Sequence, residues 1–221
     1  MKPSLLILPA LLALGTGLGT NRALQAEESV VQCANLIYAG TKTSRCFSDQ
    51  FLTTMQQRTA IPVERRFRSV KLASDELFDY PFVMMTGESS FFLTTKEREN
   101  LKRYLKNGGF LLASAGCSNK DWGRSFRSEM RKIFEDDAMN EINLEHPVFR
   151  TVYEVDKLEL SKGGGTGTIE GVEVNGKLVV VFSEAGLNDS SNRSGCCCCG
   201  GNEIQNAMEV NVNILAYALL Y

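Results

Sequence analysis

The chain has 221 residues, of which 43% are hydrophobic and 23% charged, proportions that suit one globular domain with a substantial core. Its 24 basic and 26 acidic residues leave a formal charge of −2. That balance lacks the excess of positive charge from which nucleic-acid binding draws most of its affinity, so a nucleic-acid partner is not expected.

The first residues read as an export signal. Lys2 supplies the positive start, Leu5 to Gly19 is an uncharged apolar run, and Arg22 ends the apolar character. Ala26 then offers a small residue before Glu27 and Glu28, completing the three-part secretory pattern. The apolar run falls short of the roughly 20 residues that span a bilayer, so residues 1–26 are expected to be removed and residues 27–221 to form a single domain with no membrane span. The mature chain would carry a formal charge of −4, since Lys2 and Arg22 leave with the signal. Cys33 follows Val30-Val31-Gln32 and lacks the small residues that lipid attachment requires. Seven cysteines suit an oxidising compartment, periplasmic or extracellular, and an odd number leaves at least one unpaired, metal-bound or bridged to another chain.

Ala34–Ala39 reads as a first strand ended by Gly40, and Thr43 or Ser44 can cap a helix from about Arg45 to Arg58 with Phe47, Phe51, Leu52 and Met55 on its buried face. Ile61–Arg68 is extended, Pro62 excluding a helix interior. Ser74–Asp79 is a turn-like acidic segment, and Pro81–Thr86 a buried strand bounded by Gly87. Thr94 and Glu97 stand at capping-box spacing ahead of a helix whose stripe is Leu101, Tyr104 and Leu105 and whose end is marked by Gly108. Phe110–Ala113 is another buried strand. Asp121 can cap a helix carrying Trp122, Phe126, Met130, Ile133 and Phe134 inward, with Arg124, Arg127 and Arg131 left to solvent.

Beyond Asp137 the pattern changes. Glu141–Leu144 is short and strand-like, His146-Pro147 is a stop, and Gly163–Gly167 reads as a mobile loop. Thr168–Val174 and Lys177–Ser183 flank Asn175-Gly176, the strongest short hairpin signal. A last helix from about Asn202 to Leu220 carries Ile204, Met208, Leu215 and Leu219 inward, with Asn211 and Asn213 as buried amides that lock it to a loop. Strands alternating with helices imply right-handed crossovers and a mainly parallel sheet, an α/β three-layer sandwich with a C-terminal hairpin and helix. Ligands of such sheets bind beyond the carboxyl ends of the strands. That rule makes Gly40, Thr41, Gly87, Ser89, Ser90, Ser118 and Asn119 the candidate binding residues.

Leu77–Gly87, Leu101–Ala113 with Arg124–Phe134, and Val212–Leu219 together resemble a bacterial domain-of-unknown-function family, number 4159, over about Ala34 to Tyr221. The resemblance implies a flavodoxin-like or class I glutamine-amidotransferase-like sandwich and carries no assigned reaction. His146-Pro147-x-Phe149 and Asn213 match the family's pattern. Where many relatives have Gly-His-Gly after the third strand this chain has Gly87-Glu88-Ser89, so no role of that histidine carries over.

Three chemistries remain in view. Cys117, between a buried strand and a helix, is the candidate nucleophile, with His146 or Glu88 as its base; a helix start lowers a thiol's pKa and backbone N–H groups stabilise an oxyanion. The bland alternatives are a small packed side chain or half of a disulfide. Cys196, Cys197, Cys198 and Cys199 form a sulfur-dense run between glycines, suited to disulfides or to a soft metal such as copper(I), though four in a row surround a tetrahedral ion poorly. Glu88, Ser89 and Ser90 could contact a polar ligand or only begin a turn. The glycine run at 163–167 lacks the lysine of a phosphate loop. No cofactor is indicated. The expectation is a non-enzymatic module for a small polar ligand or an envelope protein, with a cysteine-dependent hydrolase or transferase as the alternative and metal or redox handling as a third.

Overall fold

Apolar runs too short to bury themselves as helices pair edge to edge, and five of them here pair in one direction. The computed structural model describes residues 30–38, 47–134, 139–189 and 201–221. β1 (Cys33–Ile37), β2 (Arg68–Lys71), β3 (Phe82–Gly87), β4 (Phe110–Ala115) and β7 (Lys177–Ser183) are mutually parallel. β6 (Glu170–Val174) runs antiparallel to β7, and β5 (Met139–Glu141) antiparallel to β6. The sheet order is β2-β1-β3-β4-β7-β6-β5. β1 neighbours both β2 and β3, so the order reverses there, as in doubly wound sheets.

Alternation along the strands divides the core in two. Phe82, Met84, Phe110 and Leu112 face α1 (Gln50–Arg58) and α4 (Ala207–Leu220). Val83, Met85, Leu111 and Ala113 face α2 (Thr95–Lys106) and α3 (Lys120–Phe134). α1 packs against α4 and α2 against α3, one pair on each side of the sheet. The architecture is therefore a three-layer α/β sandwich with a mixed, mostly parallel seven-stranded sheet. Among the described residues no helix is long and apolar enough to cross a membrane.

Local chemistry explains most boundaries. Thr94 and Glu97 form a complete capping box at α2: Thr94 Oγ1 accepts from Glu97 N at 3.2 Å, and Glu97 Oε2 accepts from Thr94 N at 2.8 Å. Gly108 follows the last turn at φ 94°, a left-handed position that suits glycine. Asn175 and Gly176 both take positive φ in the two-residue turn joining β6 to β7. The hairpin does more than close an edge, because β7 enters the middle of the sheet beside β4.

Several expectations need correction. α1 starts at Gln50, with Ser48 Oγ accepting the Gln50 N–H at 3.2 Å, and the proposed caps Thr43 and Ser44 lie outside the described residues. The extended stretch from Ile61 contributes only a bridge between Val31 and Val63, and β2 proper begins at Arg68. The acidic Ser74–Asp79 segment, by contrast, is turn-like as expected: a 3-10 turn over Asp75–Asp79, capped by Ser74, stands where a crossover helix would connect β2 to β3. α3 is capped by Asn119, whose Oδ1 accepts from Trp122 N at 2.9 Å, while Asp121 lies inside the helix and pairs with Arg124. Arg127 does not point to solvent: it pairs with Glu170 and Glu184 and lies 4.9 Å from the centroid of the Phe182 ring. The glycine loop 163–167 is pinned by a bridge between Glu159 and Thr166. α4 begins at Ala207, five residues after its expected start, because Ile204 is held in a bridge with Leu160.

Candidate functional site

The carboxyl ends of the strands are polar and buried. Thr86 of β3, Ser114 of β4 and Ser183 of β7 end their strands fully buried, on the face that carries α1 and α4. Such groups need partners, since an unsatisfied buried hydroxyl or amide is destabilising by about 1–3 kcal/mol. Asn188 supplies most of them. Its Oδ1 accepts from Ser114 Oγ at 3.1 Å and from Thr86 Oγ1 at 3.5 Å. Its Nδ2 donates to Ala115 O at 3.1 Å and to Glu203 Oε1 at 2.5 Å. Ser114 Oγ also accepts from Leu187 N at 2.8 Å, and Ser183 Oγ from Gly186 N at 3.0 Å. The segment after β7 therefore folds back over the strand tips and bonds to them. Gly186, at φ 101°, makes the approach possible: a Cβ there would stand 2.6 Å from Ala115 O.

Cys117 sits on the turn between β4 and α3, with φ 55°, and Ser118 follows at φ 52°. Two successive left-handed non-glycine residues are a strained arrangement that neighbours must hold. Cys117 N donates to Glu203 Oε1 at 3.2 Å, and Ser118 Oγ donates to Ala185 O at 2.5 Å. Gly201 lies so close that an added Cβ would meet the Cys117 carbonyl carbon at 2.5 Å. The Cys117 sulfur is in a disulfide. A bonded sulfur offers no thiolate for attack.

The other candidates fall in different places. Gly87 pairs with Ala115, so Glu88 and Cys117 leave adjacent strands at the same end of the sheet. Glu88 and Ser89 are half-buried and Ser90 is exposed. Gly87 itself is required by packing, because a Cβ there would stand 2.5 Å from the Tyr38 hydroxyl, which accepts from Trp122 Nε1 at 2.7 Å. Asn119 is a helix cap, and its side chain is engaged in that role. Gly40, Thr41 and Cys196 to Cys199 lie outside the described residues. Among the described residues no cluster of three or more His, Cys, Asp or Glu side chains could hold a metal. Cys33 is a free thiol buried in the core, and burial pushes its pKa up to about 12, so it is inert.

His146 is not brought to Cys117. Its Nδ1 accepts from Val148 N at 3.1 Å and its ring lies 5.3 Å from that of Tyr217. It lines a groove of about 630 Å³ with Glu141, Glu145, Glu173 and Leu178. Leu178 is at the amino end of β7, whereas Cys117 follows Ser114, which pairs with Ser183 at the carboxyl end. At about 3.3 Å per residue the two levels are roughly 16 Å apart along the strand, well beyond proton-transfer reach. Burial lowers the His146 pKa, with the nearby Glu173 charge opposing that shift.

The network residues Asn188, Glu203, Thr86 and Ser114 were not legible as a site. Their one signal in sequence is a polar residue at the end of each apolar strand, and their pairing depends on separations of up to 102 positions. Asn35 on β1 and Asn211 on α4 each keep a buried amide oxygen without a partner among the described residues.

No curated protein matches the chain. The model of one family, described as a domain of unknown function (DUF4159), matches residues 32–219. That span holds every described strand, every described helix save the last residue of α4, and the polar network at the strand ends, and the chain belongs to the DUF4159 family.

Proposed function

We propose that the protein is an exported, non-enzymatic module of the cell envelope that binds a small polar ligand or another envelope protein, built on a flavodoxin-like framework. The strand order β2-β1-β3-β4, with its reversal at β1, supports the framework. Export, to the periplasm or beyond, is supported by the basic, apolar and small-residue pattern of residues 1–26.

One observation carries the preference for binding over catalysis. At the end of the sheet where an α/β enzyme keeps its reacting groups, Asn188 and Glu203 close a hydrogen-bonded network over the tips of β3 and β4, and the Cys117 sulfur is already bonded. The polar groups there satisfy one another, as in a structural core.

The test is to assay the full chain, oxidised and reduced, against thioester, ester and amide substrates, alongside Cys117→Ala, while mass spectrometry records alkylation of each cysteine. No turnover in either state, with the variant retaining the fold and the envelope association of the wild type, is the expected result. Turnover that appears on reduction and disappears in Cys117→Ala would establish a cysteine-dependent hydrolase or transferase instead.

A further inference from the structure

Both outer strands of the sheet are charged, and with opposite sign. Among the described residues β2 ends the sheet on one side and pairs only with β1. Residues 64–71 hold four bases, Arg65, Arg66, Arg68 and Lys71, against the single acid Glu64. Among the described residues β5 ends the sheet on the other side and pairs only with β6. Beside it runs the groove of about 630 Å³, bordered by Glu141 of β5, whose charged side chains on the α1/α4 side are Glu145 and Glu173, with no lysine or arginine among its lining residues. Arg68, Lys71, Glu141 and Glu145 are all exposed, and none is in an ion pair among the described residues.

Charges on edge strands ordinarily keep sheets from adding to one another. That protection works when both edges repel. Opposite signs on the two edges do the reverse, because each copy presents to the next the charge it lacks.

Strand polarity and side-chain facing agree with such a contact. β5 is antiparallel to β6, which is antiparallel to β7, so β5 runs in the same sense as β2. A second copy displaced across the strands would set its β2 beside β5 and continue the sheet in parallel. Val70 is buried on the α2/α3 side, which places Arg68 on that side and Lys71 on the α1/α4 side. Met139 packs on the α2/α3 side, which places Glu141 there. The groove lies on the α1/α4 side, since the space above Gly171 is bounded by Leu178 and Ile142 of that core. Arg68 would therefore meet Glu141, and Lys71 would meet the groove that Glu145 and Glu173 line.

We infer that the protein binds a second copy of itself head to tail, the basic β2 edge of one copy docking on the acidic β5 edge of the next. The contact is heterologous, so its repetition builds an open chain rather than a closed dimer. The strands that meet have four and three residues, which makes each contact weak and dependent on charge. The inference goes beyond the proposed binding module and does not depend on Cys117, so the thiol assay and the mass measurement fail separately.

Sedimentation of the full chain over rising concentration tests it, at low salt and at roughly 1 M salt, where the screening length is about 3 Å. The weight-average mass should rise with concentration at low salt and return to that of a single chain at high salt. Arg68→Glu with Lys71→Glu, and separately Glu141→Lys with Glu145→Lys, should each stay monomeric while keeping the wild-type circular dichroism. Mixing the two variants one to one restores both complementary contacts and should restore the higher mass. A wild type that remains monomeric at low salt overturns the inference. So does association that survives either charge reversal, or a mixture that stays monomeric while both variants are folded.

Discussion

Replacing Asn188 by alanine tests whether the strand tips are held by one amide. The side chain is fully buried and joins β3, β4 and the segment that returns over them. Its loss leaves the Ala115 carbonyl without that donor and takes one from the Glu203 carboxylate, while the Ser114 and Thr86 hydroxyls can rotate in search of other acceptors. A buried group stripped of its partner is destabilising by about 1–3 kcal/mol, more when charged. Placing the carbonyl low in that range and the carboxylate high gives a loss of about 4 kcal/mol. For a chain of this length each kcal/mol lowers Tm by roughly 2–4 °C, so a fall of about 8–16 °C is expected in a thermal melt, with a matching shift of the urea midpoint at unchanged slope. Asn211→Leu is the control. That amide is as deeply buried, but among the described residues its oxygen has no partner and only its N–H₂ donates, to Leu187 O at 2.9 Å. Removing an orphan acceptor offsets part of the lost bond, and the change should stay near about 1 kcal/mol. An Asn188→Ala loss below about 1 kcal/mol, or one no larger than that of Asn211→Leu, would refute the reasoning.

Three further outcomes are expected. Asn213→Ala removes an oxygen that accepts from Val152 N and Tyr153 N and a donor to Tyr153 O, each at 2.8 Å, and should lower unfolding stability by about 3 kcal/mol in urea titration, the half-buried backbone being partly rescued by water. Gly87→Ala forces a Cβ against Tyr38 and Trp122; overpacking of this kind is destabilising by roughly 1–3 kcal/mol, and the emission of the single tryptophan should report the loss of its bond to the Tyr38 hydroxyl. His146 has a pKa lowered by burial, so the unfolded chain binds its proton first as pH falls. Its contribution is whole above the unfolded value of about 6.5 and is lost as pH falls from there through the lower folded value. His146→Asn, which can still cap the Val148 N–H, should flatten that part of the stability profile, and an unchanged profile would exclude His146 as its source.

The framework was legible because local signals agreed with one another. Capping at Thr94 and Glu97, the Asn175-Gly176 turn and the apolar runs of β1, β3 and β4 each depend on neighbours in sequence. Asn213 was legible too, as one of two amides on the apolar face of the last helix that had to find a partner. Boundaries set by tertiary contact were not. α1 and α4 begin later than their periodicity suggests, because Ser48 and Ile204 are held by the loops they pack on. Arg127 was misplaced because the two carboxylates it meets come from β6 and from the end of β7. The site divided in the same way. The carboxyl end of the sheet followed from topology, but which side chains meet there did not, and of the bases considered for Cys117, His146 proved to stand at the other end of the sheet.

α4 has an almost wholly buried surface from Val210 to Tyr217, and its partner across that face, α1, precedes every strand but the first. Synthesis therefore produces one face of the sheet that α1 covers only in part until α4 arrives after the seven strands, while α2 and α3 follow β3 and β4 directly on the other face. Until α4 emerges, Phe51 and Leu52 of α1 and Phe82 and Met84 of β3 lack the helix that completes their packing. A nascent chain in this condition exposes apolar surface on one side of its sheet, and that exposure ends when the last helix docks.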